Sequence, residues 1–184
     1  MSDGNFKDPK QLDSQSSCEA VKGNHRFAAQ VALGVFSAIA NTLIVVSGLG
    51  RFGTADDPSM IIIASGSFGD GFSSDQIWTS PPLGWALAKL YAVTSYVPWW
   101  GLLQAVSLTL AVVLLIANLR RDSTAFWPGF IFLTFLTLAA SLMLLRMNFT
   151  QPAIFCTAVG LIIAGLSGRL LFRALGLFLV IVGV

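Results

Sequence analysis

FAAQVALGVFSAIANTLIVVSGL, residues Phe27 to Leu49, carries no charged side chain. It is long enough to cross a bilayer as one helix, since about 20 apolar residues span the hydrocarbon core. The run exceeds the apolar core of a secretory signal, about 7 to 15 residues, so it reads as an uncleaved anchor. Its polar and small residues Gln30, Gly34, Ser37, Asn41 and Gly48 recur at helical spacing and mark a face that packs against other helices. The whole chain shares this character: 55% of its 184 residues are hydrophobic and 11% charged, with mean hydropathy +0.76. Soluble domains carry roughly a quarter charged residues. The expected fold class is therefore all-α, a polytopic transmembrane helix bundle.

Upstream, Met1 to Asn24 is polar and mixed in charge, without apolar periodicity. It has too little apolar surface to offset its ordering entropy and is expected to be a disordered cytoplasmic tail, 1–24, ahead of a transmembrane domain, 25–184. A net charge of +2, with basic residues placed singly or in pairs between apolar segments, argues for topology signals and against nucleic acid. Cys18 and Cys156 sit at different depths and His25 has no partner ligands, so no metal site is expected from them.

Downstream, further spans are expected at Trp99 to Asn118, Phe126 to Leu145 and Pro152 to Leu166, with an incomplete fifth run from Leu170. That last run is too short to finish a crossing, and the expectation is that this chain is the amino-terminal part of a longer protein. Leu83 to Tyr96 is long enough only for a short helix. Placing it as a re-entrant or interfacial segment keeps Arg120 and Arg121 on the same side as Lys22 and Arg26, as the positive-inside rule requires. The amino terminus is then cytoplasmic, and 51–98 is the first extracytoplasmic loop, with short juxtamembrane helices.

That loop holds Asp56, Asp57, Asp70 and Asp75, four of the five acidic residues that follow the tail. Asp57-Pro58 has the form of a helix N-cap followed by proline, predicting a short helix over Ser59 to Ser65 closed by Gly66. Capping is one role for Asp57. The other is chemical, because adjacent carboxylates disfavour each other's ionised form and can raise one pKa towards that of a general base. Arg51, Lys89 and Arg146 fall on the same outer side, which positive-inside bias disfavours, and a phosphate at headgroup level would account for them. Ion pairing of Arg51 with Asp56 or Asp57, and snorkelling of Arg146 to lipid phosphates, are the plainer alternatives. Asn148-Phe149-Thr150 matches a glycosylation acceptor by chance in a tight turn. Asp70 to Asp75 lacks the ligand alternation of a calcium loop.

The run Asp56-Asp57-Pro58-Ser59-Met60, then Ala64-Ser65-Gly66, Gly84 with Leu90-Tyr91, Pro98-Trp99-Trp100-Gly101 and Asn148-Phe149-Thr150-Gln151-Pro152-Ala153, resembles the amino-terminal third of bacterial membrane proteins of the GT-C glycosyltransferase superfamily, in their glucosyltransferase-like and related uncharacterised branch. Trp100 stands where that branch more often has tyrosine. The resemblance implies a multi-pass enzyme of the cytoplasmic (inner) membrane that transfers a sugar from a polyprenyl-phosphate-linked donor to an extracytoplasmic glycan or lipid acceptor. It implies a catalytic aspartate at Asp56, with Asp57 as second choice, and phosphate contacts from Arg51, Lys89 and Arg146. No cofactor is firmly implied beyond room for a divalent cation, and the lipid-linked sugar enters as substrate. The alternative is a non-catalytic multi-pass module, a scaffold or flippase-like partner in envelope polysaccharide assembly. A transporter fits less well, because the strongly charged residues lie near the predicted interfaces and none is mid-span.

Overall fold

The computed structural model describes residues 9–52, 56–67, 81–119, 124–148 and 150–183. Among them are seven helices: α1 (Pro9–Val46), α2 (Asp56–Ala64), α3 (Pro81–Val93), α4 (Trp99–Asn118), α5 (Phe126–Leu145), α6 (Thr150–Leu166) and α7 (Leu170–Gly183). Two residue pairs, β1 (Arg51–Phe52) and β2 (Arg146–Met147), form a small parallel ladder. The all-α transmembrane class is thus the observed one. Gly23–Val46, Trp99–Asn118 and Phe126–Leu145 are each apolar and long enough to cross a membrane. In hydrocarbon every backbone polar group must be bonded internally, and a helix does that with its own residues.

Packing follows the polarity of each face. Val31, Val35, Phe36, Ile39 and Leu43 of α1 and Ile131, Phe132, Phe135 and Leu142 of α5 point outward, while Ser37, Asn41, Thr137 and Ser141 are buried. Apolar side chains outside and hydrogen-bonded polar ones between the helices are what a lipid solvent selects. Asn41 Nδ2 donates to Thr109 Oγ1 at 2.9 Å, and Ser141 Oγ donates to Asn41 Oδ1 at 2.8 Å, so α1, α4 and α5 meet in one layer. Around it Leu33, Val45, Leu108, Val112, Leu133 and Leu144 form the principal core. At one end Gln30 Nε2 donates to the carbonyls of Ile116 (2.9 Å) and Leu119 (3.1 Å), and the Arg26 guanidinium lies 5.1 Å from the centre of the Phe126 ring. Hence α1 and α5 run parallel, antiparallel to α4. The backbones of α6 and α7 approach closely at Gly160 and Gly176: a Cβ on Gly176 would lie 2.7 Å from the Gly160 carbonyl oxygen.

Several local expectations change. The helix of α1 starts at Pro9, so residues 9–24, predicted to be disordered, are helical and continuous with the span. Proline suits a first helical turn. Gln, Leu, Glu, Lys and Ala propagate a helix that the apolar run has already nucleated, and propagation is far easier than nucleation. Residues 1–8 of the tail lie outside the described residues. The short loop helix begins at Asp56, one residue before the expected cap at Asp57, and Pro58 occupies a first-turn position whose N–H would have no helical partner anyway. Its predicted closure at Gly66 holds: at φ +73° Gly66 donates to Ile63 O and Ser67 to Ile62 O, the paired bonds of a Schellman motif. Gly48, predicted on the packing face, instead lies in the turn just past the end of α1, at φ +68°. The fourth predicted span starts two residues earlier, at Thr150, and its 17 residues reach the short limit for a crossing. Arg120, Arg121, Asp70 and Asp75 lie outside the described residues.

Candidate functional site

Where α1 and α5 end, and where α4 and α6 begin, the chain gathers most of the residues singled out above. α3 has 13 residues, about 20 Å, too short to cross, and it lies over the start of α4. Leu87 and Tyr91 from α3, Met60 and Ala64 from α2 and Trp100 from α4 form a buried cluster of their own. The Trp100 backbone N–H donates to Tyr91 Oη at 3.2 Å, satisfying one of the orphan donors of the α4 amino terminus from a neighbouring helix. Trp99 Nε1 donates to Thr94 O at 2.9 Å. Burial pushes the Tyr91 phenol above its usual pKa, and the Trp100 hydrogen bond partly offsets this.

Beside this cluster the parallel ladder sets Arg51 directly opposite Arg146 and Phe52 opposite Met147. Nothing in the spacing of the two arginines, in segments far apart in sequence, foretells that register. It follows from α1 and α5 running side by side and ending at the same depth. Asp56 and Asp57 open α2 a few residues further on. The side chains of Arg51, Asp56 and Asp57 lie outside the described residues. Arg146 is exposed. Lys89 is also exposed, on the side of α3 turned away from Leu87 and Tyr91. The structure therefore brings Arg51, Arg146 and the start of α2 to one end, and leaves Lys89 on the outer surface of that same end. Asn148 caps α6, its Oδ1 accepting the Thr150 N–H at 3.0 Å. Among the described residues no group of three His, Cys, Asp or Glu side chains could hold a metal ion.

One residue of this region was not singled out from the sequence. Gln104, in the second turn of α4, is 5% exposed, and neither its Oε1 nor its Nε2 has a hydrogen-bond partner. A carboxamide inside an apolar 20-residue segment is the signal that could have marked it.

Comparison with family models, with curated proteins and with solved structures finds no match to this chain.

Proposed function

We propose that this chain is a membrane glycosyltransferase, or the amino-terminal part of one, that uses a sugar carried on a polyprenyl phosphate at the extracytoplasmic face of the cytoplasmic membrane. The observation that carries the reading is the backbone register of Arg51 with Arg146, at the end of the bundle where Asp56 and Asp57 begin α2. Two guanidinium-bearing residues at the headgroup level suit a phosphate, and carboxylates close by in sequence suit proton removal. Orientation is supported by charge: Arg26, Arg169 and Arg173 lie at the opposite end, and in sequence Lys22 stands one helical turn before Arg26 and Arg120 and Arg121 follow the end of α4.

In this reading the Asp56 carboxylate takes the proton of an acceptor hydroxyl while that oxygen attacks the anomeric carbon. The bond from the anomeric carbon to the phosphate oxygen breaks, its electron pair leaving on the phosphate, and the sugar inverts. Arg51 and Arg146 stabilise the charge that develops there, with Lys89 as a third cation at this end. The test is sugar transfer in proteoliposomes from a polyprenyl-phosphate hexose, wild type against Asp56→Asn. Turnover is expected to fall about 100-fold or more with binding of the donor retained. Equal turnover removes Asp56 from the chemistry, and donor binding without turnover by the wild type supports the non-catalytic module.

A further inference from the structure

The Asn41 layer provides a ruler for depth. Asn41 is hydrogen bonded to both Thr109 and Ser141. Five residues from Ser141 towards the α2–α3 end is Arg146, and five from Thr109 in the same direction is Gln104, both about 7.5 Å along the bundle. Gln104 and Arg146 therefore share a depth. Around α4, Gln104 lies on the stripe of Ala111, seven residues away, and Ala111 shares a buried cluster with Cys156, Val159 and Ile163 of α6. Two turns above that contact, Gln104 reaches the level of the first turn of α6. Helical side chains lean towards the amino terminus, so its carboxamide is directed at the opening turn of α4. Two helix amino termini, those of α4 and α6, thus converge near one buried amide, and both favour negative charge.

A buried carboxamide with neither atom bonded costs a few kcal/mol, more than a stability role would justify, because a leucine of similar size avoids that cost. We propose that Gln104 is a ligand-binding residue that takes an uncharged, hydroxyl-bearing group, of the polyol class, belonging to a lipid whose phosphate lies at Arg51 and Arg146. Its neutrality fits hydroxyls, which both donate and accept, and its depth sets them beside the phosphate. α3 is held over the start of α4 by the Met60, Leu87, Tyr91 and Trp100 cluster and covers that end of the site. This inference rests on the phosphate site proposed above.

The experiment titrates the full chain, in nanodiscs, with polyprenyl phosphate bearing one hexose and with polyprenyl phosphate alone, following tryptophan fluorescence. The wild type is expected to bind the hexose-bearing lipid more tightly. Gln104→Leu is expected to lower that affinity about tenfold, the loss of one or two hydrogen bonds, without changing the affinity for the bare lipid. Arg146→Gln is expected to weaken both. Unchanged hexose discrimination in Gln104→Leu overturns the role of Gln104 and leaves the phosphate site standing, whereas a wild type that binds neither lipid overturns both. Gln104→Leu and Gln104→Met are each expected to melt at or above the wild-type temperature. A lowered melting temperature in both variants gives Gln104 a structural partner and overturns the inference as well.

Discussion

Asn41 uses both ends of one carboxamide within the first span, donating to Thr109 and accepting from Ser141. Interhelical hydrogen bonds in membranes contribute about 0.6 kcal/mol on average and up to about 1.7, because the separated helices also find partners in lipid. A double-mutant cycle of Asn41→Ala and Ser141→Ala, followed by reversible unfolding in mixed detergent, is expected to show coupling in that range. Strict additivity would mean that the two side chains act independently. The role of Asn41 was legible in the sequence: together with Gln30 and Ser37 it falls on one helical face, and a polar face in an apolar run has to be buried. The isolation of Gln104 was not legible, since an amide that finds a partner and one that does not are the same letter until neighbouring helices are placed.

Gly160 and Gly165 differ in the same way at the level of elements. A Cβ on Gly160 would meet Val180 Cγ2 at 2.9 Å and the Val180 backbone N at 3.0 Å, whereas one on Gly165 would meet nothing within 4 Å. Gly160→Ala is expected to destabilise the α6–α7 hairpin by about 1–3 kcal/mol through overpacking. Gly165→Ala is expected to be neutral or to stabilise by up to about 1 kcal/mol through helix propensity. Melting temperatures of the two variants in one detergent check this, and equal shifts would mean that α7 does not pack there. Helix α2 was foreseen more fully, because Gly66 is a local stop signal whose effect depends on backbone alone. The two-residue ladder was not foreseen, because it is the outcome of two spans ending together and leaves no trace in either segment.

At the scale of the molecule, the alternation of apolar runs and basic boundaries determined the bundle, and the three long spans fall where that alternation placed them. The helix that continues from Pro9 shows where composition misleads: a polar segment attached to a membrane helix is not an isolated chain, and its first turn is already formed. Orientation is tested by cysteine labelling in a Cys18→Ser, Cys156→Ser background. Tyr96→Cys, in the α3–α4 connection, is expected to react with a membrane-impermeant maleimide on intact cells. Thr124→Cys, in the α4–α5 connection, is expected to react only after permeabilisation, and the reverse pattern would invert the topology.

The contacts of Gln30 carry a consequence for biosynthesis. Its acceptor Ile116 O is 86 residues later in the chain, and a ribosome adding about 5–20 residues per second needs roughly 4–17 s to make that stretch. For that interval the α4 acceptors that Gln30 and Asn41 use in the finished bundle do not yet exist. The polar side of the first helix therefore closes only after α4 has been made, so the order of synthesis places bundle closure well after the first span.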